Sequence, residues 1–444
     1  PDSPPPPRTG DPVTAFSADA SRTLGGPDWL TRRRSAAAER LADLVWPSTA
    51  EEIWRYSAVD RFDPDRYAPV PAGELGPPGA EAVPGGGLLA AEAGERSGLV
   101  VVRNGRVVRH ELDPALEARG VRVQGLATDT DGVAEPWLGR CSDASPDAFT
   151  VLHDAFLAGG AFVHVPRGVV VSAPIVVLHW SEGDGRATFP HTLVVAEEGS
   201  EVSVVDRYSS RGRDHLVDAV VELLVGDGAH VRYLSVQEHG PETWQVALQR
   251  AHLGRDAGLR ASAVALGGDY ARLRSETRLD GPGAESDLLA VYFGDGHQMH
   301  DFRTLQDHTA PNTRSNLLFK GAVEDEAHSV YSGLVRLRPE AQRSEAYQTN
   351  RNLVLTDGAG AESIPNLEIE ANDVRCSHAS TVGPVDDDQR YYLATRGIPP
   401  EEADRLIVMG FFEDVLNRLP VRSLVTPLRD AVTRKIEQRG GIRA

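Results

Sequence analysis

Residues 222–234 read ELLVGDGAHVRYL: a short apolar run, a Gly-Asp-Gly-Ala corner, and a second short run rich in β-formers. The theme recurs as VVAEEGSEVSVV (194–205), HLGRDAGLRASAV (252–264), RLDGPGAESDLLAVY (278–292), FKGAVEDEAHSVYSG (319–333) and LVLTDGAGAESIPNLEI (353–369). Corners near Gly199, Gly228, Gly258, Gly283, Glu326 and Gly360 return at about 25 to 45 residues, the range of solenoid coils. No long helical pattern interrupts them, which disfavours a βαβ sheet. Paired short runs stacked coil upon coil bury a continuous apolar core better than a sandwich does. The expected fold is mainly β: a right-handed parallel β-helix over 96–385, flanked by N-terminal and C-terminal α-helical regions.

Outward from that core, residues 1–20 form a Pro-rich polar tail with nothing to bury, so disorder is expected there. Residues 21–95 read as a small helical domain and a Gly/Pro linker. Trp29, Leu30, Ala37, Leu41, Leu44 and Val45 recur at helical spacing, with Asp28 as candidate cap and Pro47 as stop, and Ser48 to Glu51 has capping-box spacing. Val100–Val102, Asn104-Gly105 and Val107-Val108 spell a hairpin. Phe149 to Leu157 reads as a helix closing one end of the body. In the 386–444 region, Asp386 to Asp388 start one helix, Gly397 ends it, and Pro399-Pro400 opens a second that is apolar over much of its circumference. These helices are expected both to cap the open core and to bind a partner.

The 444-residue chain carries a net charge of -19, which argues against nucleic-acid binding through a basic surface. No run approaches the roughly 18 apolar residues of a membrane span, and no apolar leader is apparent, so a cytoplasmic protein is expected. Nearly all cations are arginine: only Lys320 and Lys435 are lysines. Phosphate-loop, dinucleotide, nucleophile-elbow and HExxH patterns are absent, which disfavours ordinary enzymology.

The stretch Ile364 to Gly383, IPNLEIEANDVRCSHASTVG, reads as two strands around an Asn372-Asp373 corner. With side chains alternating, Cys376 and His378 share a face while Arg375 and Ser377 point away, and Glu368 and Glu370 share a face of the preceding strand. A thiol, an imidazole and carboxylates on rigid backbone are a candidate soft-metal site or interface patch. The plainer alternative is a packed Cys with a hydrogen-bonded His neighbour. Cys141 and Cys376 are too few for a self-contained four-thiolate site. A second histidine group, His297, His300 and His308 with Asp301 and Asp307, fits either a metal site or polar ladders along a coil. Lys320 fits either a carboxylate pairing or a partner contact.

AFVHVPRGVVVSAPI (161–175), DHTAPNTRSNLLFKG (307–321), YQTNRNLVLTDGAGAESIPNLEIEANDVRCSHASTVG (347–383) and YYLATRGIPPEEADRLIVMGFF (391–412) together resemble the SufB/SufD family of iron–sulfur cluster assembly proteins, on the SufD side. The SufB branch places a cluster-building cysteine where this chain has Ile369. The resemblance implies a non-catalytic scaffold that pairs edge to edge with a SufB-like paralogue and binds a SufC-like ABC-type ATPase, with homodimerisation an alternative. It implies a cluster-assembly interface at His378, Cys376 and Glu368, with His378 a transient metal ligand. It also implies an ATPase contact at Arg396, Gly397, Leu406, Phe411 and Phe412. No cofactor is expected to be held tightly by this chain alone; a nascent iron–sulfur cluster would form transiently at the interface with the paralogue. Rival readings are a stand-alone metal-binding β-helix protein and a polysaccharide-active β-helix enzyme.

Overall fold

The computed structural model describes residues 15–74, 95–142 and 147–437. The expected disordered tail falls outside these residues over 1–14, as does the Gly/Pro linker over 75–94. The architecture is mainly β, a parallel β-helix of about eight turns with helical regions toward both ends of the chain. Two sheets form its walls. Sheet A, of eleven strands, ends on Gly360–Ile369, and sheet B, of ten, ends on Val374–Gly383. Successive coils stack in register: Glu201, His230, Gly258, Glu285, Arg314 and Glu345 form one row. A coil thus takes 27 residues from Gly258 to Glu285 and 31 from Arg314 to Glu345.

That spacing is tighter than the corner series implied, because the series changed corner type. Gly199 to Gly283 mark passages from sheet A to sheet B, whereas Glu326 and Gly360 mark the return from B to A. The intervening A-to-B corners use Asn312 and Arg343, at φ 58° and 59°, and contain no glycine to announce them.

Alternation along each strand sends one row into the lumen and the other outward. The lumen toward the N-terminus is lined by aliphatic residues such as Val102, Val163, Val177, Val204 and Leu223. Further along it becomes aromatic, with Tyr292, Phe302, Phe319 and Tyr331 in successive contact at 4.6, 5.5 and 5.0 Å between ring centroids. The Asn104-Gly105 hairpin forms as read, with both turn residues at positive φ. It and the short helix α3 (Pro114–Glu117), whose Leu116 enters the luminal core, close the N-terminal end.

The N-terminal segment contributes α1 (Ala18–Arg22) and α2 (Asp28–Ala38), so a helix begins within the expected tail. Pro27, not Asp28, occupies the cap of α2, and the helix stops at Ala38, leaving Leu41 in a 3-10 turn and Leu44 and Val45 beyond it. Glu51 reaches back to the Ser48 N–H, one half of a capping box. Helix α4 (Ala148–Phe156) does not close an end: its Phe149, Leu152 and Phe156 pack with Trp54 and Phe62 onto the outside of sheet A, against Leu216, Trp244 and Val246.

At the other end of the chain lie α5 (Asp387–Thr395), α6 (Pro400–Leu416) and α7 (Val425–Glu437). Asp386 caps α5, and Gly397, at φ 80°, follows it. The expectation that these helices cap the open core is wrong. Val408, Phe412, Val415, Leu416, Leu428 and Val432 lie on the outer face of sheet B, because that face is itself apolar through Leu234, Val236, Leu289, Val291 and Phe293. Both lysines fasten the helices there. Lys320 Nζ donates to the Phe411 carbonyl at 2.9 Å and pairs with Asp414 at 3.0 Å. Lys435 Nζ donates to the carbonyls of Leu266 and Phe293 and pairs with Asp295 at 3.2 Å. Lys320 is therefore an internal anchor.

Candidate functional site at the open end of the helix

The two strands of the last coil contain no buried residue, although the inward rows of the strands beneath them are buried. Among the described residues nothing covers this coil, so its luminal row is partly to fully exposed where earlier rows are buried. Ile369, opposite Leu337, is 47% exposed and Val382, opposite Asn352, is 43% exposed. Ten residues on each strand also present a free backbone edge, the feature that β proteins ordinarily cover or blunt.

Register assigns the faces. Ala346, Gln348, Asn350 and Asn352 are the buried row of the strand Ser344–Val354, and Cys376, His378, Ser380 and Val382 lie directly above them. Cys376 and His378 thus share the luminal side, as the alternation predicted. Cys376 packs against Val335, Leu337, Ala341 and Ala346, and this partial burial pushes its thiol up from its ordinary value. His378 is exposed on the rim. Cys141 is a different kind of cysteine. It is fully buried, its thiol pushed far up by desolvation and then by Glu222, while its backbone N–H donates to that same carboxylate at 2.9 Å.

Glu368 does not join Cys376 and His378. It pairs with Arg336, whose row lies on the outside of sheet A, and Arg336 Nε donates to its Oε2 at 2.7 Å. The corner over 370–373 shifts the parity, so even-numbered residues face outward in the last strand of sheet A and inward in that of sheet B. The candidate site holds a thiol and an imidazole of this chain, with the carboxylate on another face. The second histidine group does not assemble either. His297 stands on a corner beside Glu326, while His300 and His308 are enclosed in the lumen, His308 bonded to Thr313 and Ser315. Among the described residues no three His, Cys, Asp or Glu side chains gather as a metal site.

The expected ATPase contact residues divide by exposure. Arg396 lies over the Tyr392 ring at 5.2 Å, Gly397 forms the turn, and Leu406 is 42% exposed, as are Tyr391 and Tyr392 to a larger extent. Phe411 is half-buried above Lys320. Phe412 is wholly buried and belongs to the packing of α6 on sheet B, so it presents no surface to a partner.

Reasoning from the sequence missed the polar luminal row under His378. Its signal was the alternation in SEAYQTNRNLV (344–354), where Ser, Gln and two Asn occupy inward positions.

The class defined here is a parallel β-helix with one end closed, the other left with bare strand edges, and a Cys/His pair on the bare rim. Comparison with known proteins specifies the family. The profile described as "SUF system FeS cluster assembly, SufBD core domain" matches residues 179–411, and "SufBD protein N-terminal region" matches 95–177. An iron-sulfur cluster assembly SufBD family protein of Mycobacterium tuberculosis is 36% identical over 326 residues, 70% of this chain and 80% of the relative. The iron-sulfur cluster assembly protein SufD of Bacillus subtilis is 30% identical over 421 residues, 93% of this chain and 95% of its own. The chain belongs to the SufB/SufD family of iron–sulfur cluster assembly proteins. No helix of the described residues is long and apolar enough to cross a membrane.

Proposed function

We propose that this chain is a non-catalytic, SufD-like scaffold subunit that pairs through its open end with a SufB-like paralogue and seats a SufC-like ABC-type ATPase on its C-terminal helices. A nascent cluster forms at the paired rims, transiently, with no cofactor held tightly by this chain alone. The carrying observation is the uncovered last coil: two bare strand edges flanking luminal Cys376 and His378. Edge-to-edge addition satisfies those backbone groups and brings a partner's side chains beside the pair. Ligands from two chains resolve the shortage of thiolates in one. His378, when neutral, offers an imidazole nitrogen to iron or relays a proton during sulfur reduction. Glu368, on the outer face with Arg336, contributes to the docking surface.

The ATPase seat consists of Arg396, Gly397, Leu406 and the exposed edge of Phe411, together with Tyr391 and Tyr392. The expected setting is the cytoplasm. Co-expression with the paralogue and the ATPase should yield an assembly of one, two and one subunits by mass; a chain that stays alone would overturn the reading. His378→Ala should leave that assembly intact and abolish cluster build-up, and a normal cluster yield would remove His378 from the chemistry. Leu406→Glu should release ATPase while the melting of the β-helix stays unchanged.

A further inference from the structure

We propose that Gln348 is a positioning residue for His378. The inference rests on the reading of His378 given above and extends it to the layer beneath. Gln348 is the in-register neighbour of His378, one strand spacing below it on the same luminal row. It is 1% exposed, yet neither its Oε1 nor its Nε2 has a hydrogen-bond partner. The rest of its row is different. Asn350 Nδ2 donates to Tyr292 Oη at 3.0 Å and Asn352 Nδ2 to Asn350 Oδ1 at 2.8 Å, a closed network. Across the lumen, Thr304 Oγ1 and Tyr331 Oη bond each other at 3.2 Å.

A buried carboxamide without partners is unfavourable, and an apolar side chain of that length would suit the site better if packing were its only task. Space is kept for it on the facing wall. A methyl group at Gly333 would collide with Gln348 Nε2 and stand 2.6 Å from Tyr331 Oη and 2.8 Å from Thr304 Oγ1. Gly333 does not have positive φ, so glycine is used there for room. The niche leaves the carboxamide free to turn toward the rim. There, one end accepts from a ring N–H of His378 or the other donates to a bare ring nitrogen, fixing which nitrogen faces the partner.

The test uses the full chain with isotope-labelled histidine, His378 being assigned by its loss in His378→Gln. Gln348→Met keeps the volume and removes the amide; Gly333→Ala keeps Gln348 and fills its niche. In both variants the ring-nitrogen resonances of His378 should move to a different tautomer balance while those of buried His300 and His308 stay in place. Cluster build-up in cells depending on the chain should fall by about tenfold, the scale of losing a residue that orients a ligand. Unmoved His378 resonances in Gln348→Met overturn the proposal. Moved resonances with a normal cluster yield sustain the positioning role and overturn the cluster role of His378. Ser329→Ala, on the opposite luminal wall, should change neither; if it shifts His378 equally, the effect is general loosening and the assignment to Gln348 falls.

Discussion

At the N-terminal end a hairpin and the Leu116 turn close the lumen over Val, Leu and Ala, while at the C-terminal end the coil simply stops, its lumen lined by Gln, Asn, Cys and His. The two ends are built differently: the outermost strands of the closed end pair antiparallel and run four and seven residues, whereas those of the open end pair parallel and run ten each. The inward rows differ as well, aliphatic at the closed end and polar at the open one. An aliphatic row commits an end to permanent burial, whereas a polar row under bare edges keeps an end ready to be buried against another chain.

The comparison can be broken most decisively at its closed end. Val204→Asp places a carboxylate in a fully buried luminal position and should cost more than about 4 kcal/mol, seen as loss of cooperative unfolding and of soluble protein. Acid probes the lumen between the ends. Burial, followed by the Lys435 charge, holds His300 down at about 3, against 6.5 for a free imidazole. The unfolded chain therefore binds the proton first as pH drops. Stability from neutral His300 is complete above about pH 6.5 and is lost progressively toward pH 3. His300→Leu should flatten that limb of the melting temperature against pH; an unchanged limb would assign the acid sensitivity elsewhere.

Lys320→Met tests whether helix docking is separable from the solenoid. It should cost about 1–3 kcal/mol locally, with faster hydrogen exchange in α6 and unchanged exchange in the strands of sheet B. The smallest effect is expected at the open end. Ile369→Asp, on the exposed rim, should change stability by less than about 1 kcal/mol while abolishing pairing with the paralogue. Equal destabilisation by Val204→Asp and Ile369→Asp would erase the contrast between the ends.

Much of this was legible in the chain. The repeated corner theme predicts the solenoid, and strand parity alone places Cys376 with His378. The placement of Glu368 was not legible, because parity is defined within a strand and the corner over 370–373 resets it. Corners held by Asn312 and Arg343 were invisible to a reading that looked for glycine. The docking side of α6 and α7 was also hidden: an apolar helix seeks an apolar surface, and the outer face of sheet B only becomes one surface when coils distant in sequence are stacked. Lys320 was conspicuous by composition, but its partner at Asp414 is 94 positions away and closes only in three dimensions.

The two lysines carry one more consequence. Their ε-amino groups are both occupied and nearly enclosed, with side chains 7% and 10% exposed. An amine-selective reagent thus meets no open lysine on the docked molecule, and each acylation of Lys320 or Lys435 records an excursion of α6 or α7 away from sheet B. The pair is a built-in timer: labelling rates at two sites, read by mass, count how often each helix lifts, and a partner that clamps the helices would slow the clock.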